Sequence, residues 1–192
     1  MLTAIIISPL AVVAAIVVGW RAVTRGVPPW QVVARVALVL YVAWMIGETL
    51  FPLPLGGQLT HAELDPVQRL LDRLNAPNLV PLRAIRETAA LGWGWPAIRL
   101  LGGNVLVFAP FGVLLPAIWP RLARFWRMAL AGLAFSLAIE LSQLAVSLAV
   151  GYWYRMTDVD DLLLNVAGVL LGFGIYAAIR GRRARARGGG RA

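Results

Sequence analysis

Five long apolar stretches, separated by polar or basic connectors, dominate the pattern along this chain. They cover residues 2–20, 30–51, 97–119, 128–150 and 162–179. A helix needs about 20 mainly apolar residues to cross the hydrocarbon core of a bilayer. The pattern therefore predicts an all-α polytopic membrane protein with five transmembrane helices in one domain, residues 1–192.

The third stretch differs from the others because it contains residues that weaken a helix. Gly102, Gly103, Pro110 and Gly112 all lie inside it. Pro removes a backbone N–H donor, and Gly lowers the helix propensity of the chain. We expect a kinked helix whose freed backbone groups are satisfied by protein or water.

The only long connector, residues 52–96, contains signals for two short helices. Asp65-Pro66 is a typical helix start, and apolar residues then recur on one face as expected of an amphipathic helix in the membrane interface: Val67, Leu70, Leu71 and Leu74. A second helix is predicted from Leu82 to Leu91, ended by Gly92.

The amino-acid composition supports membrane insertion and argues against nucleic-acid binding, disulfide bonds and thiol catalysis. The chain is 60% hydrophobic and 14% charged, whereas soluble domains are nearer half apolar and a quarter charged. The net charge is +9, but the Arg residues cluster beside apolar segments, which indicates a role in topology and no nucleic-acid partner. The absence of Cys excludes disulfides and thiol catalysis.

Charge predicts the orientation. Twelve Arg residues and no acid flank the two short connectors or lie in the tail, while all nine acids fall on the other side with six Arg. The positive-inside rule makes the Arg-only side cytoplasmic, with the N-terminus extracytoplasmic and the C-terminus cytoplasmic. The Arg- and Gly-rich residues 181–192 are predicted to be a disordered cytoplasmic tail.

A polar stripe interrupts the fourth apolar stretch. Glu140 and Gln143 lie one turn apart, and Ser136 and Ser147 extend the same helix face. Ionisable groups at membrane depth are costly, so they are candidates for function. Glu140 is then a proton acceptor, a cation ligand or an acceptor for an amine in a pocket. The alternative is a structural clasp between helices, with Glu140 held for example by Asn104 or Asn165.

A second polar group precedes and opens the fifth stretch. Asp158 and Asp160 are candidates for function, but either one could instead only cap the N-terminus of the fifth helix. Asp161 shares a face with Asn165 and with Gly168 and Gly172, so its side chain is predicted to point into the bundle, and the two Gly are predicted to form a packing face. Arg155 is expected either to pair with an Asp or to bind a phosphate.

These polar groups are predicted to meet on the extracytoplasmic side. Asn104, near the start of the third helix, should lie close to the depth of Asn165 in the fifth. Glu140 lies roughly 10 residues before the outer end of the fourth helix, which is about 15 Å at the rise of an α-helix. The distant stretches therefore converge on one outward-facing pocket.

Four motifs in this order resemble the VanZ-like proteins, and together they span residues 78–172. They are Asn78-Leu79-Val80-Pro81, the run from Gly103 to Gly112, Glu140-x-x-Gln143, and Arg155-x-x-Asp158-x-x-Asp161-x-x-x-Asn165-x-x-Gly168. Leu82 departs from the family pattern, which usually has an aromatic residue there. The resemblance implies a protein of the bacterial plasma membrane linked to resistance against teicoplanin and related lipoglycopeptides, or to ordinary envelope physiology.

The pattern and the resemblance together give a set of ligand-binding candidates. Arg83 is placed at the pocket rim because it follows the Asn78 motif, although a solvated helix face is the plainer interpretation. The full set is Asn78, Arg83, Asn104, Glu140, Gln143, Arg155, Asp158, Asp161 and Asn165.

Two functions of different class follow from this set. The first is binding of a lipid-linked cell-wall precursor, a lipid headgroup or the lipoglycopeptide. The second is an enzyme acting on a lipid-linked substrate, with Glu140, Asp158 or Asp161 as catalytic candidates and Arg155 or Arg83 on a phosphate. No metal site is predicted, although a divalent cation held by the three carboxylates is an alternative. A transporter is disfavoured because the sequence shows no inverted repeat.

Overall fold

Six α-helices make up most of the computed structural model, which describes residues 2–50, 77–90, 92, 94–95, 98–150 and 157–188. No β-strand occurs within those residues, so the predicted all-α class is confirmed for them. The helices are α1 (Leu2–Thr24), α2 (Pro29–Leu50), α3 (Arg83–Ala90), α4 (Gly103–Ile118), α5 (Phe125–Val150) and α6 (Val159–Gly188).

Three of these helices are long and apolar enough to cross a membrane. The qualifying segments are Pro29–Leu50, Phe125–Ala149 and Val159–Arg183. Shorter apolar segments, Pro9–Thr24 and Gly103–Ile118, lie in α1 and α4. The chain is therefore a helical membrane protein, while the number of five spans stays a prediction.

The third apolar stretch begins with a π-helical turn, Ile98–Gly102, and continues as α4. Pro110 and Pro116 both lie inside α4. Each leaves one carbonyl of the preceding turn without its usual N–H partner. The predicted kink itself stays a prediction.

Helices α4 and α6 approach each other at backbone distance, and small residues make this approach possible. A Cβ atom added to Gly168 would lie 2.2 Å from the carbonyl oxygen of Val105, and one added to Gly172 would lie 2.0 Å from that of Ala109. Gly112 meets the backbone of α6 in the same way. The predicted packing face of α6 is confirmed, and it holds α4 at backbone distance.

Beside this contact, an apolar core joins α2, α4, α5 and α6. Its buried members are Met45, Phe108, Phe111, Leu115, Met128 and Val169. The ring of Phe111 stacks on that of Phe135 in α5 with centroids 4.7 Å apart. In contrast, α1 packs on α2 and leaves a largely exposed apolar surface (Leu10, Val13, Ile16 and Trp20).

The two ends of the bundle carry opposite charge. We call one the acidic end: the C-terminal turns of α2 and α5, the N-terminal turns of α4 and α6, and residues 77–90. The basic end comprises the opposite ends of those helices and the C-terminal end of α1. Every acid among the described residues belongs to the acidic end or to a helix turn near it, whereas the described Arg residues lie mainly at the basic end.

One predicted feature of the tail differs from the structure. Helix α6 continues to Gly188, through much of the segment that the sequence predicted to be disordered. Ala and Arg are both good helix formers, which accounts for this continuation. The amphipathic helix predicted at residues 67–74 lies outside the described residues.

Candidate functional site

The polar stripe on α5 faces the protein interior, as the sequence predicted. Ser136, Glu140, Gln143 and Ser147 are all buried, with Glu140 only 5% exposed. Gln143 Nε2 donates a hydrogen bond of 3.0 Å to the carbonyl oxygen of Thr49 at the end of α2. The stripe therefore connects α5 to its neighbours and does not face lipid.

Asp158 joins three parts of the acidic end. Its backbone N–H donates to Oε2 of Glu140 at 3.2 Å, and its Oδ1 accepts from the N–H of Asp160 at 2.8 Å, so Asp158 is the N-cap of α6. Oδ1 also accepts from Nδ2 of Asn78 at 2.9 Å. The structure thus contains the helix-capping contact that the sequence suggested as the alternative role of Asp158.

Asp160 caps a different helix from its own. Its carboxylate accepts the N–H of Leu82 through Oδ1 and the N–H of Ile85, at 3.1 Å, through Oδ2. These are N–H groups at the beginning of α3, which have no intrahelical partner. Leu82 has a φ of 65°, an uncommon conformation for a residue other than Gly. Asp160 therefore stabilises both the start of α3 and the strained backbone before it.

A short backbone bridge fixes residues 77–90 to the start of α6. The N–H of Asn78 donates to the carbonyl of Thr157 at 2.8 Å, and the N–H of Val159 donates to the carbonyl of Asn78 at 3.0 Å. With the side-chain bonds of Asn78 and Asp160, this bridge gives the connector a defined position beside the polar cluster.

Two further side-chain pairs lie deeper in the bundle. Asn104 Nδ2 of α4 donates to Oδ1 of Asp161, and Asn165 Nδ2 donates to Oγ of Ser136 at 2.8 Å. The sequence offered Asn104 or Asn165 as partners that hold Glu140; instead each is committed to another acceptor. Within the described chain, the buried Oδ1 of Asn165 accepts no hydrogen bond.

Charges at the acidic end are unevenly compensated. Burial is the main cause that raises the pKa of Asp158, while hydrogen bonds from Asp160 and Asn78 and the charge of Arg83 act in the opposite direction. Arg83 itself is exposed and forms an ion pair of 2.9 Å with Glu87, which raises the pKa of its guanidinium. Its geometry fits the solvated helix face better than a pocket rim.

Most of the site residues belong to one hydrogen-bonded network, and three lie apart from it: Gln143, Arg83 and the Asn165–Ser136 pair. Glu140, Asp158 and Asn78 share one network, and Asp161 joins it because its N–H donates to the Asp158 carbonyl at 3.2 Å. Gln143 instead contacts the end of α2, and the side chain of Arg83 is exposed to solvent. Arg155 lies outside the described residues. Among those residues, no group of three His, Cys, Asp or Glu side chains is arranged to hold a metal ion.

Two contributing residues were missed from the sequence. Thr49 supplies the carbonyl that Gln143 binds, and Tyr41 donates its hydroxyl to the carbonyl of Val107 in α4 at 2.9 Å. Tyr41 carries a usable signal, because a phenol inside an apolar helix needs a hydrogen-bond partner. A backbone acceptor such as that of Thr49 leaves no signal in the side-chain pattern.

Fold and site together define a class: a helical membrane protein whose central helices enclose a network of carboxylates and amides at one end. The model of the VanZ/LLP1 family matches residues 38–180, so the chain belongs to that family. The match includes most of α2 and every residue of the polar network described above, but not α1. No curated protein and no solved structure matches the chain.

Proposed function

We propose that this VanZ/LLP1 family protein binds a cell-envelope ligand at its acidic end, which faces outward from the bacterial plasma membrane. The observation that carries the proposal is the pair Glu140 and Asp161. They come from different helices and are joined through Asp158, whose N–H donates to Glu140 and whose carbonyl accepts the N–H of Asp161. Glu140 is buried and Asp161 is partly buried. No Arg among the described residues forms an ion pair with either one.

Such a pair is suited to hydrogen-bond donors. Carboxylates that are removed from water need a proton, a cation or several N–H or O–H donors. Asn165, one turn beyond Asp161 on α6, adds a buried carbonyl oxygen that accepts nothing within the described chain. The ligand we propose therefore presents an ammonium or hydroxyl groups, as lipid-linked cell-wall precursors, lipid headgroups and lipoglycopeptides do.

The outward orientation rests on charge and on five membrane crossings. The described acids gather near one end of the bundle and most described Arg residues at the other, which is the distribution expected when the basic end is cytoplasmic. With α1 and α4 counted as spans, the N-terminus is extracytoplasmic. Binding at the outer surface would change the access of teicoplanin-type drugs to their targets, or serve envelope homeostasis.

A melting experiment on the purified protein in detergent tests the binding proposal. Lipid-linked precursor, phospholipids, teicoplanin and divalent cations are added one at a time to wild type, to Glu140→Gln and to Glu87→Gln. A ligand that binds only the folded state adds about 2.7 kcal/mol at a hundredfold excess over its dissociation constant. We expect an envelope ligand to raise the melting temperature of wild type and of Glu87→Gln, whose carboxylate is exposed, but much less that of Glu140→Gln.

The same variants separate binding from catalysis. Gln keeps the shape and hydrogen bonding of Glu140 and removes its capacity to act as a base. Turnover of the ligand that is abolished in Glu140→Gln would favour the enzyme. An identical response in wild type and Glu140→Gln would remove Glu140 from the binding site.

A further inference from the structure

A cavity of about 500 Å³ lies at the basic end, far from the polar network of the acidic end. It is bounded by the start of α2, the last turns of α4 and the basic part of α6. Gln31, Tyr176, Arg180 and Arg183 form its polar wall, and no acid is among its described lining residues. The cavity therefore offers an anion several donors and no repulsion.

The polar wall is partly ordered by its own contacts. Arg180 Nη1 donates to the hydroxyl of Tyr176, one turn earlier on α6, at 3.1 Å. Arg183 follows three residues later and therefore lies on the same side of the helix. Two guanidinium groups on one helix face, each with a planar fork of donors, match the oxygen atoms of a phosphate.

Arg35 of α2 adds a further positive charge near this end, although it does not line the cavity. Arg35 lies one turn after Gln31, and its Nε is buried with no hydrogen-bond acceptor in the described chain. The nearby Arg121, Arg124 and Arg127 add positive charge at the same end.

The rest of the cavity wall is apolar. Val113 and Ala117 of α4 and Ile179 of α6 line it, and the half-exposed Trp30 lies at its edge. A free phosphate would leave this surface uncovered, whereas an acyl chain would cover it. Trp is also common at the headgroup level of membranes.

We propose that this cavity binds one anionic phospholipid, with the phosphate on Arg180 and Arg183. Tyr176 and Gln31 then contact oxygen atoms of the headgroup and ester region, and one acyl chain lies along Val113, Ala117 and Ile179. This lipid site is distinct from the ligand site at the acidic end and does not depend on it.

The test compares lipids on the full chain in zwitterionic detergent. Phosphatidylglycerol, phosphatidylcholine and inorganic phosphate are added separately, and both the melting temperature and the lipid retained in native mass spectrometry are measured. We expect phosphatidylglycerol alone to stabilise the protein and to be retained. Equal stabilisation by phosphatidylcholine would overturn the role of net charge, and equal stabilisation by inorganic phosphate would overturn the lipid as the ligand.

Three variants locate the site. The double variant Arg180→Gln/Arg183→Gln should weaken phosphatidylglycerol binding at least about tenfold, because each lost charged hydrogen bond alone has that effect. Arg182→Gln is the matched control: it removes the same charge from α6 but does not line the cavity, and it should change binding less than about twofold. Ala117→Leu should weaken binding by filling the apolar part. Equal losses in Arg182→Gln and the double variant would show diffuse attraction only and overturn the site.

Discussion

The acidic and basic ends of this bundle use charge in different ways. At the acidic end, at least four of the six described carboxylates accept a hydrogen bond from a backbone or amide N–H of another segment: Glu140, Asp158, Asp160 and Asp161. At the basic end, most described Arg side chains are exposed, and their hydrogen bonds join residues close in sequence, such as Arg180 and Tyr176. The carboxylates of the acidic end fix the relative positions of chain segments, whereas the Arg residues of the basic end mainly contribute positive electrostatic potential.

Charges at the two ends therefore contribute unequally to the stability of the fold. A buried acceptor that satisfies backbone donors cannot be removed without leaving those donors unpaired. Removing an exposed Arg side chain changes the free energy of unfolding little, because water takes over its contacts. Substitutions matched between the two ends should therefore have very different effects on folding, and the four predictions below are ordered by their expected size.

The largest effect is expected when Asp160 is replaced. Asp160→Ala removes a buried carboxylate that accepts from the N–H groups of Leu82 and Ile85, and each hydrogen bond to a charged group contributes about 1.5–3 kcal/mol. Arg124→Ala, at the exposed basic end, should change the free energy of unfolding by less than about 0.5 kcal/mol. Unfolding by SDS titration measures both; similar losses would contradict the comparison.

The close contact of α4 and α6 predicts the next effect. Gly168→Ala places a Cβ against the Val105 carbonyl, and such overpacking costs about 1–3 kcal/mol. Gly174→Ala, on the same helix but toward the basic end, meets nothing within 4 Å and should be neutral or slightly stabilising. The difference in melting temperature between the two variants checks this, and a larger loss for Gly174→Ala would refute it.

A smaller effect is expected from one hydroxyl on α5. Ser136→Ala removes the acceptor of the Asn165 amide and should cost about 0.5–1.5 kcal/mol. Its control, Ser142→Ala, loses only a bond to the carbonyl of Ala138 on the same helix, so we expect a smaller change. The same SDS titration decides; equal values would mean that the Ser136–Asn165 bond adds no stability between helices.

The smallest effect concerns pH. Because the folded-state pKa of Asp158 lies above its ordinary value of 3.8, the folded protein holds that proton more tightly than the unfolded chain. Its contribution to stability is therefore complete below pH 3.8 and is lost as the pH rises through the folded-state pKa. Asp158→Asn should flatten this part of the profile of unfolding free energy against pH. An unchanged profile would contradict the assignment.

Much of this arrangement follows from local patterns. The order of the helices, the buried stripe on α5 and the packing face at Gly168 and Gly172 follow from periodicity and from the cost of polar groups in lipid. The capping role of Asp158 follows from its position before α6. Helix α3 is found within one residue of its predicted ends, and Gly92, with a φ of 95°, follows it.

What the sequence could not predict depends on which distant segments meet. Asp160 has the sequence position of a residue that caps α6, yet it caps α3, because the bridge at Asn78 brings that helix start beside it. For the same reason, the partners of Asn104 and Asn165 differ from those suggested. The cavity at Arg180 requires three helix ends at once, and no local pattern encodes that meeting.

The proposed binding function requires that the acidic end is accessible from outside the cell. The chain contains no Cys, so single cysteines can be placed at Leu79, which is 73% exposed at the acidic end, and at the exposed Arg124 of the basic end. Intact cells are treated with a membrane-impermeant maleimide. We predict that Leu79→Cys is labelled at once and Arg124→Cys only after permeabilisation. The reverse pattern would place the acidic end in the cytoplasm and contradict the proposed function.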